Sequence, residues 1–176
     1  RTAIVTGSGN GIGRAIAILF AKEGANVIVA EIEEDTGNET VEMIKSDGGE
    51  ATYINVDTSK IDSVERMVSN SVEKYGDINI LVNNAAAFVF GNIEHVTQDD
   101  WGKVLGVNVI GYANCVQKSL ESLKKNSDSS IINIASVSSF IAQPDFVPYN
   151  TSKGAVIQLS KCLAMDLSKY NIRVNS

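Results

Sequence analysis

The sequence is poor in the residues that most often carry metal or nucleophile chemistry. Its 176 residues include one histidine, His95, and two cysteines, Cys115 and Cys162. A single histidine removes any multi-histidine metal cage and a serine–histidine triad of the usual kind. The cysteines lie far apart in YANCVQKSL and LSKCLAMDL, without the close pairing of a metal or redox site. Both are expected to be free thiols, buried or half-buried, and His95 to be a solvated loop residue. No apolar run approaches the roughly 20 residues that cross a bilayer. There is no charged-then-apolar leader with a small-residue cleavage site, and the chain reads as cytoplasmic. Lys and Arg number 15 against 21 Asp and Glu, a net charge of −6, with no basic cluster to meet nucleic acid or an anionic membrane. Linkers rich in Pro or Ser, low-complexity tracts and repeats are also missing, so residues 1–176 read as one domain.

What is present is a regular alternation. Short, β-branched, nearly continuous apolar runs at Thr2 to Thr6, Asn26 to Ala30, Ala51 to Val56, Ile78 to Val82, Ser130 to Ala135 and Ile172 to Asn175 read as strands buried on both faces. Between them, apolar residues recur at helical spacing over Gly11 to Glu23, Thr36 to Asp47, Lys60 to Tyr75, Asp99 to Lys124 and Tyr149 to Lys169. Gly24, Gly48 and Gly76 supply the left-handed residue that ends a helix. The pattern predicts a three-layer α/β/α domain around a doubly wound parallel sheet.

Thr6-Gly7-Ser8-Gly9-Asn10-Gly11-Ile12-Gly13 follows the first strand and opens into an Ala-rich helix. Glycines let the backbone turn sharply and approach a pyrophosphate, and the positive end of the helix favours its charge. The strict G-x-G-x-x-G spelling is not met; T-G-x-x-x-G-I-G is. Glu31 ends the second strand, about 20 residues on, where an acid commonly accepts hydrogen bonds from the adenosine ribose. That acid would also repel a 2′-phosphate, and Ser8, Asn10 and Ile32 offer no cation to neutralise one. The reading favours NAD over NADP, although Glu31 could equally be an exposed charge in an acidic turn.

Further along, Tyr149-Asn150-Thr151-Ser152-Lys153 puts a phenol and an ammonium on one helix face. Ser136 lies at the end of the fifth strand, at the edge where doubly wound sheets bind ligands. Asn83-Asn84-Ala85-Ala86 closes the fourth strand in the same way, and Asn108 is a polar amide in the apolar stretch VLGVNVIGY. In order, TGSGNGIG, NVD, NNAA, VNVIG, IINIAS and YNTSK resemble the short-chain dehydrogenase/reductase family over essentially the whole chain.

The resemblance implies a Rossmann-fold oxidoreductase with Ser136, Tyr149 and Lys153 as its catalytic triad, and Asn108 as a fourth member supporting a water-linked proton relay. It implies cofactor contacts at Gly7, Asn10, Gly11, Ile12, Gly13, Glu31, Asp57, Thr58, Asn83, Ala85, Tyr149 and Lys153, with Asp57 meeting the adenine and Asn83 on the adenosine side, where it also helps to anchor the fourth strand. It also implies a homodimer or homotetramer formed through the long helices. Three departures stand out: Glu31 replaces the commoner Asp, Ala86 ends the NNA motif, and Ala135-Ser136 replaces a Ser-Ser pair. Relatives continue past R-V-N-S into a substrate lid and a seventh strand, so this chain reads as truncated at its C-terminus.

A tyrosine hydroxyl, with its ordinary pKa of about 10, is a poor base at neutral pH, and a nearby Lys153 ammonium favours the phenolate. Tyr149 would then act as base in alcohol oxidation and as acid in carbonyl reduction, without a metal. Two alternatives stay open: an NADPH-dependent 3-oxoacyl or carbonyl reductase of the same family, and a non-catalytic dinucleotide-binding protein. The substrate is an alcohol or ketone not otherwise named by the sequence. Ala87, Phe88, Phe90, Ser138, Phe140, Gln143 and Phe146 are candidates for its pocket wall, or for plain loop and core packing.

Overall fold

All six apolar runs become strands of one parallel sheet in the computed structural model, which describes residues 1–176. They are β1 (Thr2–Thr6), β2 (Asn26–Glu31), β3 (Glu50–Asn55), β4 (Ile78–Asn83), β5 (Ser129–Asn133) and β6 (Ile172–Asn175). Their order across the sheet is β3-β2-β1-β4-β5-β6. The chain thus starts in the middle, winds out to β3, crosses to β4 and winds out the other way. This is the Rossmann arrangement, and its winding direction reverses between β1 and β4.

Helices α1 (Gly11–Lys22), α2 (Glu34–Ser46), α3 (Ile61–Tyr75), α4 (Gln98–Leu105), α5 (Tyr112–Lys124) and α6 (Val147–Leu167) make the connections. The period of two along each strand sorts the core into two halves. Ala3, Val5, Val27 and Val29 face one side, where they pack on Ala17 and Ala21 of α1 and Val41 and Ile44 of α2. Ile4, Ile28 and Ala30 face the other, against Val64 and Met67 of α3, Cys115 and Leu123 of α5 and Leu167 of α6. Both faces being covered explains why the strands are apolar throughout instead of alternating.

Two expectations shift. The helix read over Asp99 to Lys124 is interrupted: Gly106–Gly111 forms a π-helical segment between α4 and α5. Such widened turns recur at functional sites, and this one holds Asn108. The fifth strand stops at Asn133, because its partner β6 pairs only as far as Ile132 opposite Asn175. Ile134 to Ser136 are thereby released to line the open end of the sheet. Helix α6 begins two residues early with Pro148 in its first turn, where a missing N–H removes no helical hydrogen bond. No helix is long and apolar enough to cross a membrane.

The cysteines divide. Cys115 is fully buried, and burial pushes its thiol up to about 12. Cys162 is exposed, contrary to expectation, because it sits on the outward face of α6.

Candidate active site

A cleft of about 770 Å³ opens at the carboxyl ends of the strands, where the winding reverses. Its first wall is the turn after β1. Gly7 has φ +63° and Gly11 φ +52°, conformations in which a side chain is strained. A Cβ on Gly7 would also come within 2.7 Å of the Ala85 Cα, so the turn lies directly on the end of β4. Asn10 caps α1 by accepting the Gly11 N–H at 2.7 Å. The N–H groups of Ile12 and Gly13 find no partner within the chain. Free donors at the positive end of a twelve-residue helix form a site for an anion such as a pyrophosphate. Gly7, Asn10, Gly11 and Ile12 line the cleft. Gly13 does not. It is buried, and a side chain there would overlap the Gly7 carbonyl oxygen, so its glycine serves close packing.

Glu31 lines the same cleft, but its carboxylate is already engaged. One oxygen accepts from the Gly9 N–H at 2.8 Å and the other from the Ile32 N–H at 2.8 Å. The Gly9 carbonyl is held by the Arg14 Nε at 2.9 Å and by the Thr40 hydroxyl at 3.3 Å. The Gly9 peptide is thus braced from both sides, which sequence reasoning did not foresee. Asp57 accepts from the Ser59 N–H and hydroxyl, at 3.0 and 2.6 Å. Asp57, Thr58 and Ala85 all line the cleft.

Asn83 anchors the fourth strand, as the resemblance implies, but its side chain does not face the cleft. Its side chain is fully buried, donating to the Asn133 Oδ1 at 2.9 Å and the Tyr112 carbonyl at 3.4 Å, and it ties β4 to β5 instead of facing the cleft. The last residue of a strand alternates inward here, and the amide that lines the cleft belongs to its neighbour. Asn84 lines the cleft and donates to the Thr6 and Gly7 carbonyls at 3.0 and 2.9 Å, filling the hollow under the glycine turn. The doubled Asn was the available signal.

At the other end of the cleft, Ser136, Tyr149 and Lys153 come together as expected. Ser136 follows β5 and its hydroxyl accepts from the Ser138 N–H at 3.1 Å. Tyr149 lies in the first turn of α6, nearly buried, with Phe88 stacked on its ring at a centre distance of 5.0 Å. Lys153, one turn on, is almost completely enclosed. Its Nζ lies 6.0 Å from the centre of the Tyr149 ring, donates to the Ile134 carbonyl at 2.6 Å and approaches the Tyr112 hydroxyl at 3.4 Å. Burial lowers its pKa from 10.5 to about 8. Tyr112 itself is buried, donates to the same Ile134 carbonyl at 3.1 Å, and has its phenol pushed well above the ordinary range by desolvation. Sequence reasoning missed Tyr112, since nothing in the stretch VNVIGY marks it as a neighbour of Lys153.

Asn108 does not reach the cleft with its side chain. Its Oδ1 accepts from the Ala87 N–H at 2.7 Å, and its Nδ2 donates to the Ala87 carbonyl and the Ser152 hydroxyl, each at 3.0 Å. The buried amide is satisfied and stitches the loop after β4 to α6. In this structure Asn108 positions the elements around Tyr149; its side chain is not free to act on substrate. His95 sits in the loop after β4, its Nδ1 2.7 Å from the Asn92 Oδ1.

A glycine turn over a helix N-terminus, an acid at the end of β2, and a Ser, Tyr and Lys set at the other end define a dinucleotide-dependent oxidoreductase site on a Rossmann sheet. The short chain dehydrogenase family model matches residues 1–176, and the chain belongs to the short-chain dehydrogenase/reductase family. It is 42% identical over 176 residues to an uncharacterized oxidoreductase of Thermotoga maritima, covering all of this chain and 69% of that protein. It is 36% identical over 182 residues to glucose 1-dehydrogenase 2 of Bacillus subtilis, again covering all of this chain and 69% of the relative. The crystal structure of a gluconate 5-dehydrogenase from Burkholderia cenocepacia, in complex with NADP and tartrate, superposes with a TM-score of 0.93 at 31% identity, covering 99% of this chain and 69% of that one.

Proposed function

We propose that the chain transfers a hydride between NAD and an alcohol or carbonyl substrate, with Tyr149 as general acid and base. The observation that carries this reading is that Tyr149 and Lys153 line the same cleft as the glycine turn, so a dinucleotide held at one end reaches the phenol at the other. The cleft suits such a group: unpaired N–H groups of Ile12 and Gly13 await phosphate, and Glu31 stands where a ribose would lie. Bound there, a nicotinamide supplies the hydride chemistry.

The chain supplies the rest. In oxidation, the Tyr149 phenolate takes the hydroxyl proton as the carbon gives up its hydride; in reduction it returns that proton to the carbonyl oxygen. Lys153, charged below its lowered pKa of about 8, places a cation 6.0 Å from the centre of the Tyr149 ring. Ser136 donates to the substrate oxygen where negative charge develops. Tyr112 and the Ile134 carbonyl hold the Lys153 ammonium in place.

NAD is favoured because Glu31 and Asp57 are the charged groups at that end of the cleft, and Arg14 is committed to the Gly9 carbonyl and to Glu39. The Burkholderia relative was crystallised with NADP, so an NADPH-dependent carbonyl reductase is the second reading. Calorimetric titration with both nucleotides decides between them. Tighter binding of NAD supports the proposal, and equal or inverted affinities reject it. We also propose a cytoplasmic homodimer or homotetramer joined through α4, α5, the π-helical segment between them and α6, where Ile110 and Met165 are exposed. A monomer by light scattering at micromolar concentration would exclude that assembly.

A further inference from the structure

The surface around Tyr149 is made by two loops, residues 84–97 and 134–146, joined by one parallel bridge. The Gly91 N–H donates to the Asp145 carbonyl at 2.6 Å and the Val147 N–H to the Gly91 carbonyl at 3.3 Å. Asp145 adopts φ +60°, a conformation rare outside glycine, to make the turn. The bridge brings aromatic rings onto one wall. Phe88 stacks on Tyr149 at 5.0 Å, Phe90 meets Phe146 at 4.6 Å, and Phe90 lies 6.1 Å from Tyr149. Despite this packing, Phe88 remains 59% and Phe90 55% exposed. Val137 and Phe140, on the loop after β5, are exposed to 71% and 77%. Two pinned loops thus gather apolar area beside the reacting phenol.

Polar groups there are few, and several are tied to the protein itself. Glu94 and Asp145 are the acidic side chains of the two loops, and residues 84–91 and 134–144 contain no charged one. The Asn84 amide is spent on the glycine turn, and the Ser139 hydroxyl donates to the Lys153 carbonyl at 2.8 Å. The Ser138 hydroxyl donates to the Gln143 Oε1 at 3.1 Å, and Asn150 donates to the same oxygen. A substrate rich in hydroxyls, or one bearing a carboxylate, would lose hydration against these rings, whereas an apolar one gains from the contact.

We propose that the substrate is an apolar, ring-bearing secondary alcohol or the corresponding ketone, its ring held against Phe88 and Phe90, in preference to polyols and sugar acids. This rests on Tyr149 being the acid/base. The wall acts through ring stacking and water exclusion, and a flat apolar ring next to the carbinol carbon gains both.

The test compares 1-phenylethanol and cyclohexanol with sorbitol and gluconate, using NAD as oxidant. The expected kcat/KM for the ring alcohols is higher by ~10² or more. Phe88→Ala lowers that preference by about tenfold or more, and Phe88→Leu restores part of it, with NAD affinity unchanged in both. Faster turnover of sorbitol or gluconate overturns the proposal, as does a preference indifferent to Phe88. Acetophenone binding to the protein with NADH, measured by calorimetry, separates the two readings. Phe88-dependent binding without turnover of any alcohol supports the substrate class and removes Tyr149 as acid/base. Absence of acetophenone binding overturns the substrate class whatever the turnover.

Discussion

The two ends of the cleft are made of different material. At the glycine turn, recognition belongs to the backbone: left-handed glycines, free helix N–H groups, and a Gly9 peptide braced by Glu31, Arg14 and Thr40. At the Tyr149 end it belongs to side chains: a phenol, an ammonium and a wall of phenylalanines carried on loops. A pyrophosphate demands one backbone shape whatever the reaction, whereas a substrate can be met by any set of loop side chains that presents the right surface. The two ends should therefore fail independently when mutated.

The largest effect expected is at Tyr149. Tyr149→Phe keeps NAD affinity nearly intact while turnover falls by ~10² or more, read by calorimetry and steady-state rates on one preparation. Equal loss of both would erase the separation between the ends. Lys153→Met should cross it, because this ammonium lines the cleft that the cofactor enters and also stands beside the phenol. Both turnover and NAD affinity then fall.

At the opposite end, wild-type protein should bind NAD at least about tenfold more tightly than NADP, the scale set by one carboxylate against a phosphate. Glu31→Ala should shrink that ratio. It should also weaken NAD itself, since the Gly9 N–H loses its acceptor. Unchanged NAD affinity in that variant would mean the brace is idle.

A smaller effect is expected at Tyr112. Tyr112→Phe removes one hydroxyl from the Lys153 ammonium, leaving it less supported, so its titration drops further below its present value of about 8. The limb of the pH–rate profile that reports this charge should move to lower pH while NAD affinity stays constant. A profile superimposable on wild type would restrict Tyr112 to packing.

The smallest effect is on stability, and its sign runs opposite to function. Below pH 8 Lys153 is charged in both states, and burial of that charge opposes folding. Between about 8 and 10.5 the unfolded chain holds a proton the native chain has released, so native stability rises with pH. Lys153→Met should therefore be more stable than wild type at pH 7, by about 1–2 kcal/mol after loss of the Ile134 hydrogen bond, a gain that fades towards pH 10.5. Thermal melts at pH 7 and 10 check it, and a less stable variant at pH 7 would show the ammonium to be stabilising.

The same contrast explains what the sequence discloses. Strand and helix positions were legible because both sheet faces are buried, and TGSGNGIG was legible because its geometry needs glycine. Asn83 was legible as an anchor of the fourth strand but not as a side chain turned from the cleft, since adjacent residues at a strand end face opposite ways and only one of the pair can look into it. Tyr112 was invisible because the π-helical segment that turns it towards Lys153 leaves no periodicity signal. The Gly9 brace and the aromatic wall depend on contacts between segments distant in the chain, such as Phe88 with Tyr149. Cys162 was misjudged because α6 carries apolar residues on more than its buried face.

The most direct test of the central claim follows a label. 1-Phenylethanol carrying deuterium on its carbinol carbon is mixed with the protein and NAD, and the reduced nucleotide is examined by proton NMR. Hydride transfer in the cleft predicts deuterium at C4 of the nicotinamide, in one stereochemical position, with the label arriving at least ~10² more slowly in Tyr149→Phe. Deuterium released to solvent, or delivered equally fast without the Tyr149 hydroxyl, would contradict it.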